Sequence, residues 1–338
     1  MWLNELSKRW LGLPTTGRPA RSQTRHRRST RLTLEHLENR TVPSTFNAAT
    51  VSDLIADINA ANAAGGSNTI TLIAPTTAPY NLIAVDNTTD GATGLPVVAA
   101  KDNLTILGNG DTIARSAGPA FRLFDVASGA SLTLQNLTLQ GGWALGSGVS
   151  AEGGGIYNQG TLDLNGVTVQ NNVAQGNNGG LLGRPGQNAA GGGIYSSGAL
   201  TLEGGTTVHN NQALGGAGGI SLQFGGATGG AGGSGFGGGL YVSGGGVTLI
   251  NSTLSSNTAQ GGQGGFGGII NKPVYGYGGA GGNGFGGGLY AGGGAVSLRS
   301  ATVDENTAQG GAGGRRRFGP RQPRPGRGWR PLHRAGQG

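Results

Sequence analysis

Several residue types that would define a site or a fold are absent or scarce in this chain. Its 338 residues include no cysteine, so disulfides and thiolate metal centres are excluded. Charged residues make up 11% of the chain and aromatic residues 6%. No run approaches the roughly 18 apolar residues that a membrane-spanning helix needs. The sequence therefore predicts no transmembrane segment.

The net charge of +8 comes from the two ends of the chain. Residues 1–45 carry 9 basic and 3 acidic residues, residues 46–310 carry 6 and 12, and residues 311–338 carry 8 and none. A protein that binds nucleic acid contacts the phosphates through a basic face. Because the body of the chain is mildly acidic, we predict no nucleic-acid partner.

Glycine is the most abundant residue, and 59 of the 74 glycines lie between residues 141 and 314. Collagen has a similar glycine fraction, but it requires glycine at every third position and abundant proline. This stretch has no such period and contains only Pro185 and Pro273. We therefore exclude a collagen triple helix.

Residues 1–45 form a basic leader that we predict to be disordered and associated with export. Residues 34–44 read Leu-Glu-His-Leu-Glu-Asn-Arg-Thr-Val-Pro-Ser. This segment resembles a leader motif at the start of large extracellular proteins of planctomycete-type bacteria, which implies an extracellular or cell-surface location. The alternative interpretation is a short amphipathic helix that ends at a proline.

Residues 46–67 predict a short helix that caps the N-terminal end of a larger fold. A helical apolar stripe is formed by Val51, Leu54, Ile55 and Ile58. Thr50 and Asp53 have the spacing of a capping box. From residue 68 the pattern changes to an alternation of apolar and polar residues, typical of short half-buried strands.

Two repeated markers predict a solenoid over residues 68–314, with glycine-rich repeats from about residue 141. The sequence Gly-Gly-Gly-[Ile/Leu]-Tyr recurs and ends at Tyr157, Tyr195, Tyr241 and Tyr290. An apolar-x-x-Asn motif follows each copy and ends at Asn172, Asn211, Asn257 and Asn306. The tyrosine and asparagine markers stay in step along the chain, which indicates stacked repeats.

The predicted fold is all-β, a right-handed parallel β-helix (a pectin-lyase-like solenoid) with a short N-terminal capping helix. Residues 153–172 contain three short apolar pieces, which we interpret as three strands of one triangular coil. The glycine-rich remainder of each repeat is a protruding loop or a second coil, and disorder of these segments is the further alternative. We expect the four asparagines to form a hydrogen-bonded ladder, and the glycine triplets to form tight corners.

The repeats between about residues 153 and 310 are similar to the paired repeats of chlamydial-type polymorphic outer-membrane proteins. The shared features are Gly-Gly-x-apolar followed by apolar-x-x-Asn. The resemblance implies an adhesive β-helix of the autotransporter-passenger kind. The aromatic residue of the family's asparagine motif is Val or Leu here.

No group of residues predicts catalysis, a cofactor or a metal ion. A glycosidase needs two carboxylates about 5–10 Å apart, and the only adjacent acidic pair between residues 46 and 310 is Asp304-Glu305. We interpret this pair, and His209 at the equivalent repeat position, as solvated outer-face residues. The four repeat tyrosines form an outward column that either stacks on sugars or packs against itself.

Residues 315–338 form an Arg/Gly/Pro tail that breaks the repeat pattern, either as a genuine basic tail or as the product of a frameshift. The sequence thus predicts a non-enzymatic secreted or cell-surface β-solenoid with a structural or adhesin-like role. Its expected partners are surface glycans or other cell-surface proteins. The alternative function is a polysaccharide-acting β-helix enzyme, either a lyase or a glycoside hydrolase.

Overall fold

A computed structural model describes residues 43–146, 150–221, 228–268 and 276–315 of the chain. Most of the predicted leader, and the tail after Arg315, lie outside the described residues. These residues form one helix and 29 strands, and every pairing between the strands is parallel. No helix among them is long and apolar enough to cross a membrane.

The strands build five parallel sheets, numbered here in the order in which one repeat visits them. Sheet I consists of Phe124–Val126, Ile156–Asn158, Ile194–Ser196, Leu240–Val242 and Leu289–Ala291. Sheet II consists of Ser44–Ala48, Gly66–Leu72, Asp102–Leu107, Ser131–Gln135, Thr161–Asn165, Ala199–Glu203, Gly246–Ile250 and Ala295–Arg299. Sheet III consists of Tyr80–Leu82, Thr112–Arg115, Thr138–Gln140, Thr168–Gln170, Thr207–His209, Thr253–Ser255 and Thr302–Asp304.

The two remaining sheets flank the glycine-rich segment of each repeat. Sheet IV consists of Trp143–Leu145, Val173–Gln175, Gln212–Leu214, Thr258–Gln260 and Thr307–Gln309. Sheet V consists of Ala151–Glu152, Ala189–Ala190, Gly235–Phe236 and Gly284–Phe285. Each strand pairs with the equivalent strand of the next repeat, so the chain is a parallel β-helix, as the alternation and the repeat markers predict.

The core is a continuous column of aliphatic side chains between the sheets. In sheet II the inward positions of one strand, Leu162 and Leu164, lie in register with Leu200 and Leu202 of the next. All four are at most 2% exposed. The intervening polar residues face outward, which explains the two-residue period of the sequence.

The N-terminal helix covers the first coil, as predicted. It spans Val51–Ala64, and Thr50 and Asp53 make both hydrogen bonds of a capping box. Leu54, Ile58 and Ala61 are completely buried in the main core. The helix thereby shields the apolar end of the stack from water, which an open solenoid end requires.

Two boundaries in the N-terminal region differ from the predictions. The strand Ser44–Ala48 precedes the helix and pairs with Gly66–Leu72, although residues 44 and 45 were assigned to the leader. That second strand begins two residues before the predicted start of the β-helix at residue 68. A strand made of Ser-Thr-Phe-Asn-Ala has too few apolar residues to be recognised by alternation, and tertiary pairing decides its conformation.

The three strands predicted within residues 153–172 are present, and the glycine-rich repeats add two further strands to the coil. After each motif asparagine the chain enters sheet IV, as at Val173–Gln175, and it returns through a two-residue strand of sheet V, as at Ala189–Ala190. These strands escape sequence detection because alanine, glycine and glutamine dominate them. Their small inward residues, including Ala174, Ala189 and Ala213, form a second buried cluster.

The last described coil presents its inward apolar side chains to solvent. Val296, Leu298 and Val303 occupy core positions by register, yet they are 42%, 51% and 47% exposed. Their equivalents one coil earlier, Val247, Leu249 and Leu254, are at most 1% exposed. The difference shows that each coil is buried by the coil that follows it.

Candidate functional site

The motif asparagines form a buried hydrogen-bonded column. The backbone N–H and side-chain amide of Asn172 both donate to Oδ1 of Asn211, each at 3.0 Å. Asn211 bonds to Asn257 at the same two distances. Asn257 donates in the same way to Asn306, from its backbone at 2.9 Å and its side chain at 3.0 Å. The predicted ladder is therefore present along all four residues.

The ladder also fixes the backbone of the neighbouring coil. The side-chain amide of Asn211 donates to the carbonyl of Val169 at 2.9 Å, and that of Asn257 to the carbonyl of Val208 at 2.8 Å. Asn172, Asn211 and Asn257 are completely buried. Because the side-chain amides find partners at each step, the column carries buried polar groups without leaving them unpaired.

The glycine triplets are in direct contact with this column. A Cβ placed on the third glycine of a triplet would lie close to Cγ of the motif asparagine in the same repeat. The distance is 3.1 Å for Gly155 and for Gly193, and 3.0 Å for Gly239. The first glycine of each triplet has a positive φ, as at Gly153 with 63°. Contact between triplet and asparagine explains why the two sequence markers keep the same spacing.

The repeat tyrosines form the second predicted column, and it is packed against itself. Ring centroids are 5.1 Å apart between Tyr157 and Tyr195, 5.2 Å between Tyr195 and Tyr241, and 5.6 Å between Tyr241 and Tyr290, with interplanar angles of 14–18°. Stacking of this kind covers the ring faces within the column. The geometry therefore favours the self-packed row over a surface that stacks on sugars.

A buried ionic cluster ends the tyrosine column at its N-terminal side. Asp125 occupies the tyrosine position of the preceding coil, and the guanidinium of Arg122 lies 4.8 Å from the ring centroid of Tyr157. Arg122 donates to the backbone carbonyls of Asp90 at 2.6 Å and Glu152 at 3.1 Å. Sequence reasoning missed this cluster, since its members lie in three different coils.

Asp125 is the most perturbed acid of the cluster. It is completely buried, and neither of its carboxylate oxygens has a hydrogen-bond partner among the described residues. Burial raises the pKa of Asp125 to about 6, against the opposing attraction of Arg122. Arg122 itself is only 6% exposed. The pair has the perturbed acidity of a catalytic group, but it offers almost no surface to a polysaccharide.

The remaining candidate groups lie on the outer face. Asp304 and Glu305 are exposed, as predicted, and the side chain of His209 is half-buried in register with Ser255. In the described part of the chain, no three His, Asp or Glu side chains converge where they could hold a metal ion.

The glycine-rich segments form an ordered structure that we call the glycine double layer. It comprises the residues between sheets IV and V of each repeat, namely 176–188, 215–234, 261–283 and 310–315, where these are described. In each repeat a first run leaves the coil and a second run returns to it. The described parts of these segments are therefore neither protruding loops nor second coils, the two ordered alternatives that the sequence left open.

Hydrogen bonds within and between the layers follow a period of three residues. In the first layer, Gly215 and Gly218 donate to Gln260 and Gln263 of the next repeat at 2.8 and 2.7 Å. Gly216 and Gly219 instead donate across to the second layer of the preceding repeat. Three residues per turn without internal hydrogen bonds is the geometry of a polyproline-II strand.

Only glycine fits at two of every three positions. A Cβ on Gly265 would lie 2.0 Å from the carbonyl oxygen of Gly219, and one on Gly279 would lie 1.9 Å from that of Gly230. The third position faces outward, as Gln263 and Ala280 do. In the sequence this three-residue period is present as local Gly-Gly-x triplets, such as residues 261–266. The triplets are too short and too scattered to give a collagen-like period over residues 141–314.

Comparisons with protein families, with curated proteins and with solved structures find no match to this chain. By its fold, the described part of the chain is a parallel β-helix that carries a polyproline-II-like glycine double layer.

Replacing Asn211 by alanine should destabilise the fold by about 2–4 kcal/mol, because the buried backbone N–H of Asn172 loses its acceptor and the carbonyl of Val169 loses the donor on Asn211. Asn306 is partly exposed at the end of the described ladder. Water can replace its partners, so Asn306→Ala should cost about 1 kcal/mol. Urea unfolding of both variants measures the difference, and equal losses would contradict a continuous buried ladder.

Asp125 should make the fold more stable in mild acid. Its folded pKa is raised above the ordinary value of 3.8 to about 6, so the folded state binds the proton more tightly than the unfolded state does. Between pH 7 and pH 4 this group should add on the order of 1–3 kcal/mol. Asp125→Asn should remove this dependence and raise the melting temperature at pH 7.5. A variant with an unchanged pH profile would refute the assignment.

Proposed function

We propose that this protein is a non-enzymatic secreted or cell-surface β-solenoid whose coils support the glycine double layer as a structural or adhesive surface. One observation carries the proposal. The double-layer segments of three successive repeats have 13, 20 and 23 residues (176–188, 215–234 and 261–283), whereas the strands around them keep nearly constant lengths. Variation is thus confined to the displayed part, and the coil acts as its support.

The chemistry of the double layer supports this role. Two of every three backbone amides are paired within the array, and the side chain at the third position points outward. Such an array can be lengthened, and its exposed surface enlarged, without adding a hydrophobic core. It contains no acidic residue. A surface of this kind suits contact with surface glycans or other cell-surface proteins better than it suits catalysis.

The sequence resemblances point in the same direction. The motif at residues 34–44 is similar to leaders of planctomycete-type extracellular proteins, and the repeats are similar to those of polymorphic outer-membrane proteins. Both resemblances support an extracellular or cell-surface location and an adhesin-like role.

The alternative, a lyase or glycoside hydrolase, requires carboxylates that reach a substrate. Of the acids that act on the charge of Arg122, Asp125 is completely buried. A substrate would have to displace the packing around Tyr157 to reach it. The burial of this group favours the non-enzymatic function.

Protease treatment of intact native cells, followed by immunodetection, tests the location. We expect the protein to be degraded on intact cells, while a cytoplasmic control protein is retained. A parallel glycan screen should give binding without new reducing ends or unsaturated products. Protection of the protein until lysis would contradict the surface role, and cleavage abolished by Asp125→Asn would favour the enzyme.

A further inference from the structure

The outer face of the first layer carries an apolar row. The corresponding outward positions of successive repeats, near the end of each described first run, are Leu181, Ile220, Phe266 and Arg315. Leu181 pairs with Ile220 in a parallel bridge. Gly183 donates to the carbonyl of Ile220, Ser221 to that of Phe266, and Gly267 to that of Arg315. These bonds place the four residues side by side, about 4.8 Å apart from one repeat to the next.

The side chains of this row are exposed although they are large and apolar. Leu181 is 61% exposed, Phe266 is 46% exposed and Ile220 is 36% exposed. The adjacent Leu182 is 57% exposed. A contiguous apolar patch of this kind on a soluble surface marks a contact site.

The charges around the row have one sign. Arg315 ends the row, and Arg184 is exposed at the start of the second layer. The double layer contains no acid, whereas all 12 acidic residues between 46 and 310 lie in the helix, the coil strands and their turns. Apolar side chains bordered by arginines complement the boundary between the headgroups and acyl chains of an anionic bilayer.

Glycines beside the row already have their amides hydrogen-bonded within the double layer. Entering a bilayer is costly for unpaired peptide groups, each of which loses its water. Here Gly179, Gly219 and Gly265 already donate within the double layer at 2.7–2.8 Å. Sugars are bound through polar side chains and aromatic faces, and the aliphatic side chains of Leu181 and Ile220 offer neither.

We propose that the row Leu181–Ile220–Phe266, with Arg184 and Arg315, is a site that inserts into the interface of a lipid bilayer containing anionic lipids. This inference deepens the proposed function and rests on it for the presentation of the double layer outside the cell. The occupant is a lipid surface, recognised by apolar insertion and by attraction between arginine and phosphate.

The test uses the full chain with vesicles of phosphatidylcholine, with or without 30 mol% phosphatidylglycerol, as the chosen composition. Ile220→Ser/Phe266→Ser should weaken binding to anionic vesicles at least tenfold, since two apolar anchors are lost. Arg184→Gln should weaken binding about fivefold at low salt and little at high salt. The matched control Ile73→Ser/Ile83→Ser replaces two exposed coil residues that are 53% and 65% exposed, and it should bind like the parent.

The two basic ends of the chain also attract anionic vesicles, so a local probe is required. Phe266→Trp should be quenched by brominated lipid beyond the background of the parent's tryptophans, whereas Ile83→Trp should not. Equal quenching of both variants, or full binding by the serine double variant, would overturn the proposal. The proposal would also be overturned if the serine double variant lost binding to an acidic polysaccharide but kept its binding to vesicles. Protease protection on intact cells tests only the surface location, and the vesicle experiments test only the lipid site. Failure of the proposed function and failure of this inference are therefore distinguishable.

Discussion

The amide ladder through the four motif asparagines is the constraint on which the rest of the structure depends. Each step joins two coils by a backbone and a side-chain donor on one Oδ1, as between Asn172 and Asn211. Since a one-residue slip would separate these groups in a dry interior, the ladder fixes the register of the coils that it joins. That register aligns the leucines of the core and the tyrosines of the outer column.

The glycine double layer follows from the same register. Sheets IV and V hold the ends of successive glycine segments one coil apart. This spacing places neighbouring polyproline-II-like strands at hydrogen-bonding distance. Backbone entropy opposes order in glycine by roughly 0.5–1 kcal/mol per residue relative to alanine. The amides at two of every three positions offset this cost through bonds such as Gly262 to Gly233 at 2.8 Å.

The periodic parts of the fold could be predicted from sequence. The alternating leucines indicate strands with one buried face, and the markers that recur once per repeat indicate that these strands stack. The capping helix could also be predicted, from Thr50, Asp53 and its apolar stripe. The sheet IV and V strands could not, since residues such as Ala174 and Ala189 have no strand preference. The cluster of Arg122 and Asp125 depends on contacts between coils that no local pattern records.

Amide hydrogen exchange at single-residue resolution tests the account most directly. In the double layer, amides that donate within the array, such as those of Gly262 and Gly265, should exchange slowly, while that of Gln263, for which no intralayer bond is seen, should exchange much faster. The three-residue alternation should persist along the described segments. Fast, uniform exchange across residues 261–268 would show that these segments are loops and would contradict the account.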